Sequence, residues 1–389
     1  MSALVATILT IALAGAPRPI AMSVAGNLHP GTGTHTYVFS SREQGVPASR
    51  FRYLCALDRA TLHACPRRLT LRLTAGRHLL RVQAVDPAGR RSSVTRVTIV
   101  VRQPVPELRV QQAWQIDSFR REAGDMLFAV AAGPDANIYV ADAANNRVVV
   151  LDAGGKQLRS WGSPGDGPGQ FHFEKATDEP STAAISSIEV DQRSGAVYVA
   201  EPQRVQKFDP QGRFELGWGT SGVGNGQFYR IWDLAVDAAG AVYTLEDRPK
   251  TAGRVQKFDT AGGFLTTFGR GQIADAGGIA VDPAGNVFVT DDQADVIDVF
   301  GPDGRLLRKL GEPGDLAGQL HFPNGLALAR GMLYVADTDH ARIVVFDLAT
   351  GKPTGYWRVT GRPFNVTADA SGAVYVFSQT GILTKYQES

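Results

Sequence analysis

The sequence predicts an all-β protein whose larger part is a ring of repeated four-stranded sheets. Short segments that alternate apolar and polar residues, or are β-branched, fill the chain, with Gly, Asp, Asn and Pro between them. A pattern of strand, turn, strand, polar turn and strand also recurs six times. Its copies are Phe128–Asp152, Ile188–Asp209, Leu234–Asp259, Ile279–Phe300, Phe322–Asp347 and Val366–Tyr386.

The spacing of these copies predicts what each one builds. The aromatic residue of the second strand recurs at steps of 59, 45, 45, 46 and 41 residues, and a repeat of about 40–45 residues made of short strands is typical of a propeller blade. A fourth strand and a Gly-rich link follow most copies, as in Glu215–Gly219 and Gly222–Phe228. Six copies of four strands predict a six-bladed β-propeller. The aromatic residues are Tyr139, Tyr198, Tyr243, Phe288, Tyr334 and Tyr375.

The first element in chain order, 1–28, is interpreted as a signal peptide-like segment and leader. Its apolar run, Leu4–Ala16, is shorter than the about 20 residues that span a bilayer. The run ends Ala14-Gly15-Ala16, a pattern of small residues that suits signal peptidase, and Ala21 is a second candidate cleavage point. A membrane anchor or a wrongly assigned start codon is the alternative.

The second element, 29–102, is predicted to be a β-sandwich. Thr34–Gln44, Phe51–Asp58, Leu69–Arg90 and Val94–Val101 read as strands broken by turns, with a first strand irregular or missing. This stretch resembles the bacterial immunoglobulin (Ig)-like repeat. The residues that match its motif are Phe39, Ser40, Ser41, Glu43, Cys55, Leu57, Asp58, Cys65, Gly76, His78, Ala84, Asp86, Ala88 and Gly89.

The two cysteines of the chain, Cys55 and Cys65, both lie in this stretch. We expect a structural disulfide, because the spacing is not Cys-x-x-Cys and no clustered His completes a zinc set. A redox or metal-binding pair is the alternative. A disulfide would contribute about 2–3 kcal/mol and indicate an oxidising compartment.

The third and fourth elements are a linker, 103–107, and the propeller, 108–389. Two prolines close together, Pro104 and Pro106, favour a stiff extended linker. The last repeat copy has three strands, and Leu108–Ile116 reads as one more strand of the same type. We predict that Leu108–Ile116 completes the last blade, because this pairing joins the two ends of the propeller and leaves no open sheet edge.

The repeat consensus resembles the NHL-repeat family of six-bladed β-propellers. It reads Tyr-Val-Ala-Asp, Asn-x-Arg-Val and Phe-Asp, followed by Trp-Gly and Gly-x-Gly-Gln-Phe, over roughly 108–386. NHL propellers occur in enzymes, in RNA-binding proteins and in bacterial envelope proteins, so the resemblance implies the fold more than the function. The 40 basic residues against 38 acidic ones argue against a nucleic-acid partner.

Residues just before each first strand are the predicted ligand-binding positions. They differ from copy to copy where the chain approaches the central channel, as a ligand pocket would require. A channel filled with ordered water is the alternative. The candidates in this funnel are Ser186, Trp232, Asp233, Asn324 and Asn365.

A polar insertion between Phe171 and Ile185 is a second candidate, because loops on a rigid scaffold often carry function. A harmless surface insertion is the alternative. The candidate residues in this loop are Glu174, Lys175, Asp178 and Glu179.

Three recurring sets are expected to be structural or solvated rather than functional. Acids follow most second strands and should accept N–H bonds from the next turn, although a ring of acids could hold a cation. Basic residues of the third strands, Arg204, Lys207, Arg254 and Lys257, are expected at a solvated edge. His172, His321 and His340 are expected as separate surface residues with no zinc site. The acids are Asp142, Glu201, Glu246, Asp291 and Asp337, with Ser378 in the last copy.

The sequence therefore predicts a secreted or cell-envelope NHL-repeat protein. We expect a non-enzymatic scaffold that binds a protein, peptide or glycan at the propeller mouth, with no catalytic residue and no cofactor. The alternative is a metal-dependent lyase or lactonase with its site in the central funnel. Calcium would then be held by Asp233, Asn324 and Asn365, since carboxylate and carbonyl oxygens suit that ion. A purely structural surface protein is a third possibility.

Overall fold

The computed structural model describes residues 21–25, 33–42, 46–101, 104–117, 119, 128–173, 187–246 and 253–388. The regular elements in these ranges are strands, apart from two short 3-10 helices, η1 (Ala48–Arg50) and η2 (Ala143–Asn145). No helix in this part of the chain is long and apolar enough to cross a membrane. The chain divides into two compact units, Met1–Pro104 and Val105–Ser389. The division falls inside the predicted linker, 103–107.

The first unit contains two antiparallel sheets that pack face to face. One has the strand order β1-β2-β5 and the other β4-β3-β6-β7. Side chains of both sheets, among them Tyr37, Phe39, Tyr53 and Leu80, share one buried core. The strands are β1 (Ala21–Ala25), β2 (Gly33–Arg42), β3 (Arg52–Leu57), β4 (His63–Cys65), β5 (Arg68–Leu73), β6 (Gly76–Val85) and β7 (Thr95–Val101).

Two features of this unit bear on the predictions. A first strand is present, because Ala21–Ala25 pairs with β2, and it lies inside the predicted leader, 1–28. Its sequence, Ala-Met-Ser-Val-Ala, carries little alternation of apolar and polar residues, so the sequence pattern did not reveal this strand.

The predicted disulfide is confirmed: Cys55 on β3 and Cys65 on β4 are bonded, with their Cα atoms 5.9 Å apart.

The second unit contains six antiparallel four-stranded sheets, I to VI. Each predicted repeat copy coincides with one sheet. Sheet I has β9 (Phe128–Ala132), β10 (Ile138–Asp142), β11 (Arg147–Leu151) and β12 (Gln157–Trp161). Sheet II has β13 (Ser187–Val190), β14 (Val197–Glu201), β15 (Arg204–Phe208) and β16 (Phe214–Trp218). Sheet III has β17 (Ile231–Val236), β18 (Val242–Glu246), β19 (Arg254–Phe258) and β20 (Phe264–Phe268).

The other three sheets repeat this order, with one exception in the last. Sheet IV has β21 (Ala276–Val281), β22 (Val287–Asp291), β23 (Val296–Phe300) and β24 (Leu306–Leu310). Sheet V has β25 (Pro323–Ala329), β26 (Met332–Asp337), β27 (Arg342–Asp347) and β28 (Pro353–Arg358). Sheet VI has β29 (Pro363–Ala368), β30 (Val374–Ser378), β31 (Leu383–Glu388) and β8 (Val110–Ile116).

Strand β8 confirms the predicted closure of the unit. It pairs with β31 from Leu383↔Ile116 to Glu388↔Val110, so a strand from the start of the unit completes its last sheet. The six first strands also contact one another in a closed cycle, β9, β13, β17, β21, β25, β29 and back to β9. The sheets therefore form a ring around a central axis.

The core of the ring lies between the sheets rather than at its centre. Six apolar clusters each combine side chains from two neighbouring sheets. Each sheet is thus covered on both faces, and five of the six second strands are buried at every position. This is why the second strands read as nearly continuous apolar runs, such as Ile138–Asp142. The polar side chains that face the central axis come from the first strands and from the residues that directly follow them.

Candidate functional site

The six first strands enclose a central cavity of about 500 Å³. All six sheets contribute to its wall. Most of the residues that line it are aliphatic, and seven carry polar side chains. These polar residues are Glu189, Gln192, Asp233, Arg330, Asn365, Thr367 and Asp369.

Asp233 lies on β17 and joins three neighbouring first strands. Its Oδ1 accepts hydrogen bonds from Ser187 Oγ at 2.6 Å and from the Leu234 N–H at 2.9 Å. Its Oδ2 accepts the Ile279 N–H at 2.9 Å. Burial raises the pKa of Asp233 to about 6, although these three hydrogen bonds oppose the rise. Both carboxylate oxygens are therefore already engaged within the ring.

Glu189 on β13 is a second carboxylate of the cavity wall, and it accepts fewer hydrogen bonds than Asp233 does. Its Oε1 accepts the Val190 N–H at 3.1 Å. Burial, with a smaller contribution from the nearby Asp233 carboxylate, raises its pKa to about 8. Glu189 and Asp233 therefore form a pair of acids on one side of the cavity that favours a proton or a cation.

Glu189 was missed by the sequence analysis, although the sequence carries a signal for it. In the strand register Glu189 is opposite Tyr198, the aromatic residue of its second strand. The equivalent positions hold small residues in the other sheets, so a charged side chain here is the exception. Those residues are Ala131, Ala235, Ala280, Ala327 and Thr367.

Sheets II and VI also carry neutral polar groups on the cavity wall that connect neighbouring strands. Asn365 Oδ1 accepts the Val130 N–H at 3.2 Å, and Thr367 Oγ1 accepts the Ala132 N–H at 3.2 Å. Gln192 Nε2 donates to the Ala132 carbonyl at 2.7 Å. These bonds satisfy backbone groups of β9 that face the axis. Asn365 therefore lines the cavity, as its place before a first strand predicts. Its side-chain oxygen is already hydrogen-bonded to a neighbouring strand of the ring.

Trp232 closes the cavity at the end where the first strands begin, which we call the mouth face. Its ring meets that of Phe364 with centroids 6.3 Å apart, and Trp232 Nε1 donates to the Gly277 carbonyl at 2.7 Å. Sheets III and VI stand opposite each other in the ring, so this contact crosses the axis. Neither aromatic residue belongs to the cavity wall. Trp232 therefore plugs the channel.

Close backbone contact between sheets IV, V and VI narrows the same end. A Cβ added at Gly277 would lie 2.6 Å from the Pro323 carbonyl oxygen, and one at Gly325 would lie 2.7 Å from the Asn365 Cα. Only glycine permits this approach. Among the described residues, these contacts narrow the end of the channel at which the sequence predicts a funnel.

Asn324 does not join the other predicted funnel residues. Its side chain is fully buried, outside the cavity wall. Its Nδ2 donates to Thr338 Oγ1 at 3.1 Å, which in turn donates to the Pro363 carbonyl at 2.8 Å. Asp233, Asn324 and Asn365 thus do not converge as the predicted calcium set. Ser186 and the loop candidates Glu174, Lys175, Asp178 and Glu179 lie outside the described residues.

The mouth face displays exposed apolar side chains on the segments that lead into sheets III and V. They are Val223, Tyr229, Leu316 and Phe322. Phe322 has a φ of +54°, a left-handed conformation that is rare for a bulky residue. Its N–H donates to Asp295 Oδ1 at 2.7 Å, which holds this conformation.

Four of the recurring acids, Asp142, Glu201, Glu246 and Asp337, pair with an arginine of the third strand, which the sequence analysis did not predict. Asp291 accepts backbone N–H bonds instead, including that of Ala294 in the following turn, as predicted. Glu246 accepts the Tyr229 N–H at 3.1 Å from the segment that precedes its own sheet, and both its oxygens bind Arg254. Arg254 also donates to the Gln227 carbonyl. Arg254 is fully buried, so the predicted solvated edge is wrong for this residue. The sequence signal was the acid followed by Arg-Val-Gln, which occurs in sheets II and III.

The histidines lie at the mouth face without forming a metal centre. His172 is exposed beside Asp166 at 3.0 Å. His321 and His340 were expected to lie apart, but their ring centroids are 5.8 Å apart, and His340 contacts Asp337 at 2.9 Å. Within the described ranges, no group of three or more His, Cys, Asp or Glu residues could hold a metal ion.

Comparisons with known proteins address the fold. No protein-family model matches the chain. NHL repeat-containing protein 3 of Mus musculus is 26% identical over 192 residues, which cover 45% of this chain and 55% of that protein. The chain thus spans about half the length of the curated relative that it matches.

Solved structures with low sequence identity resemble the chain. A gluconolactonase from Xanthomonas campestris has a TM-score of 0.52 at 16% identity, covering 71% of this chain and 89% of its own. A streptogramin B lyase has a TM-score of 0.48 at 13% identity, covering 72% and 98%. At such identities the gluconolactonase likeness shows the fold alone. With the mouse relative, it supports an NHL-type β-propeller.

Proposed function

We propose that this protein is an exported, non-enzymatic scaffold that binds a protein, peptide or glycan partner on the mouth face. In this proposal each of sheets I to VI is one blade of a six-bladed NHL propeller, and the first unit is an Ig-like domain. Segment 1–28 directs export, and the protein is secreted or held in the bacterial cell envelope. The Cys55–Cys65 disulfide is consistent with an oxidising compartment.

The observation that carries this proposal is the set of exposed apolar side chains on the mouth face, on the segments that lead into sheets III and V. A partner that covered Val223, Tyr229, Leu316 and Phe322 would remove apolar surface from water. The left-handed conformation of Phe322 presents its ring at this surface, and strain of this kind persists where function requires it. Trp232 and Phe364 support the face at its centre. The loop candidates Glu174, Lys175, Asp178 and Glu179 would add a polar rim.

The test compares the effect on partner binding of substituting two leucines that are equally exposed. The immobilised protein captures a partner from culture medium and cell-wall extract, and the purified partner is then titrated against variants. We expect Leu316→Ser with Tyr229→Ser to weaken binding by more than tenfold, since apolar contacts at an interface centre dominate affinity. Leu307→Ser is the control, because Leu307 on β24 and Leu316 are both 56% exposed. Equal effects of both substitutions, or the absence of any captured partner, would contradict the proposal.

The alternative is an enzyme with its site in the central cavity. The observation that favours it is the Glu189–Asp233 pair, whose raised pKa values are common at catalytic sites. The residues fit a metal ion only in part, because binding at Asp233 would displace its hydrogen bond from Ser187 or Ile279. Elemental analysis for calcium and zinc decides between the two, with Asp233→Ala and Glu189→Gln beside the wild type. A stoichiometric metal that both variants lose would favour the enzyme.

A further inference from the structure

The two units carry opposite charges, which the nearly neutral balance of the whole chain conceals. Met1–Pro104 has 14 arginines, no lysine and three acidic residues, so its net charge is +11. Val105–Ser389 has 26 basic and 35 acidic residues, so its net charge is −9. An asymmetry of this size between two parts of a chain indicates that the basic part has an anionic partner.

Five arginines of the first unit lie on the outer side of its four-stranded sheet, which we call the arginine face. Tyr53 on β3, Leu80 on β6 and Ile99 on β7 belong to the core, so residues that alternate with them on these strands face outward. Four of the five arginines are exposed, and Arg81 is half-buried. The five are Arg52, Arg77, Arg81, Arg91 and Arg96.

The strand register places these five charges in one row. Arg81 on β6 is directly opposite Arg96 on β7. Arg52 and Arg91 pair with the same residue of β6, four positions after Arg81, and Arg77 lies four positions before Arg81. At the rise of a β-strand, the row is about 27 Å long.

Within the described part of the first unit, no carboxylate forms an ion pair with these five arginines. The two acids described there, Asp58 and Asp86, pair with His78 and Arg90. Arg81 donates to backbone carbonyls, among them that of Asp58 at 3.0 Å. Like charges directly opposite each other on a sheet are destabilising. An anion bound between Arg81 and Arg96 would therefore relieve their repulsion.

The outer side of the three-stranded sheet is a second basic face. Arg42 on β2 and Arg68 and Arg72 on β5 alternate with core residues and are exposed. A planar membrane could contact only one of the two faces, whereas a flexible polymer could contact both. The positions of the arginines therefore favour a flexible polyanion.

The aromatic residues of the first unit exclude one class of polyanion. Tyr37, Phe39, Phe51 and Tyr53 all belong to the core, and the unit has no other Phe, Tyr or Trp. Proteins that bind single-stranded nucleic acids stack the bases on exposed aromatic rings. Neither basic face offers such a ring, so the favoured polymer is one without bases.

We propose that the first unit binds a flexible, linear polysaccharide that carries an anionic group on most of its sugars. The polymer lies along the arginine face and also contacts the second basic face. Guanidinium groups bind carboxylate and phosphate through two parallel hydrogen bonds, and release of the counterions of the polymer favours binding. This interaction goes beyond the mouth-face partner and does not depend on it.

The test titrates the full chain against fluorescently labelled polygalacturonate at several salt concentrations, with fully methyl-esterified polygalacturonate as the uncharged counterpart. We expect saturable binding of the charged polymer only, with an affinity that falls steeply as salt rises. The triple variant Arg52→Gln, Arg77→Gln and Arg96→Gln should weaken binding more than about tenfold at low salt. It should also reduce the slope of log affinity against log salt by about 2–3.

A matched control removes the same charge from the second unit. Arg213, Arg305 and Arg358 are exposed there, and their joint substitution by Gln should leave the affinity for polygalacturonate within about twofold of wild type. An equal loss of affinity in the two triple variants would overturn the proposal, because net charge alone would then explain the binding.

A further variant keeps the test decisive if the first one perturbs folding. Arg42→Gln, Arg68→Gln and Arg72→Gln together should also weaken binding, because a flexible polymer contacts both faces. Unchanged binding in this variant would overturn the proposal. Tighter binding, per anionic group, to oligothymidylate or to phosphatidylglycerol vesicles would also overturn it, since a nucleic acid or a membrane would then be the partner.

Discussion

Glu189 shows how a single residue gives the central cavity its character. Five sheets place alanine or threonine opposite the second-strand aromatic, and sheet II places a carboxylate there. Its burial beside Asp233 favours the protonated form of Glu189 over a wide pH range. The chemistry of the cavity therefore depends on one departure from the repeat.

The first prediction concerns the pH dependence of stability. Because the folded-state pKa of Glu189 lies above its ordinary value of 4.5, its stabilising contribution is complete below that pH and is lost as the pH rises toward about 8. We expect Glu189→Gln to flatten this dependence and to raise the free energy of unfolding above pH 8 by up to about 5 kcal/mol. Urea unfolding followed by tryptophan fluorescence measures this effect, because all five tryptophans lie in the second unit. Glu107→Gln, an exposed carboxylate, is the control, and an unchanged profile in Glu189→Gln would refute the assignment.

The second prediction concerns the buried ion pair of sheet III. Arg254 and Glu246 are both fully buried, so Arg254→Ala leaves a carboxylate uncompensated. We expect a loss of about 3–5 kcal/mol in the free energy of unfolding. Arg147→Ala is the matched control, because Arg147 makes the same pair with Asp142 but is 38% exposed, and about 1 kcal/mol is expected there. Equal losses in the two variants would show that burial does not set the cost.

At the scale of elements, the links between sheets decide how tightly neighbours pack. Gly219 ends the fourth strand of sheet II with a φ of +107°, and a Cβ there would collide with the Phe228 ring and lie 2.9 Å from the Gln203 carbonyl oxygen. Phe228 belongs to the core between sheets II and III. Glycine at position 219 therefore permits both the positive φ of the backbone and the close packing of the Phe228 ring.

The third prediction separates these two roles. Gly271→Ala tests the conformation alone, because Gly271 has a φ of +74° and open space around its Cβ position. We expect it to cost about 1 kcal/mol in the free energy of unfolding. Gly219→Ala should cost about 3 kcal/mol, because overpacking adds to the backbone strain. Chemical unfolding of both variants measures the difference, and similar costs would mean that the Phe228 ring moves aside freely.

The elements could be predicted from the sequence better than the candidate site. Strand periodicity is local, so the repeat copies and even the closing strand Val110–Ile116 were visible in the sequence. The placement of Asn324 was not, because it depends on glycine contacts between sheets IV, V and VI that close the channel mouth. The Trp232–Phe364 contact across the axis is equally non-local. The pattern before each first strand therefore could not show which of these side chains line the cavity.

At the scale of the whole molecule, two units stabilise themselves by different means. The second unit places an apolar cluster between each pair of neighbouring sheets. The first unit has a single cluster between its two sheets, and it carries the disulfide. Small domains with little core commonly depend on such a bond.

The fourth prediction follows from this difference. We expect Cys55→Ser with Cys65→Ser to lower the free energy of unfolding of the first unit by about 2–3 kcal/mol. Hydrogen exchange followed by mass spectrometry on peptides from β3 and β6 reports the effect, because these strands pair along their length. Unchanged exchange in these peptides would show that the bond does not stabilise the unit.

The pairing of β8 with β31 sets the order of events during synthesis of the chain. Strand β8 is among the first parts of its unit to leave the ribosome, yet its partner is the last strand of the unit to be made. Until then, β8 and β30 both lack the strand that pairs with them, and both stay open to pairing with other chains. Contacts between such distant segments also form slowly. A nascent chain of this protein therefore stays vulnerable to aggregation until β31 is available for pairing, and helper proteins that hold unfolded chains should matter most in that interval.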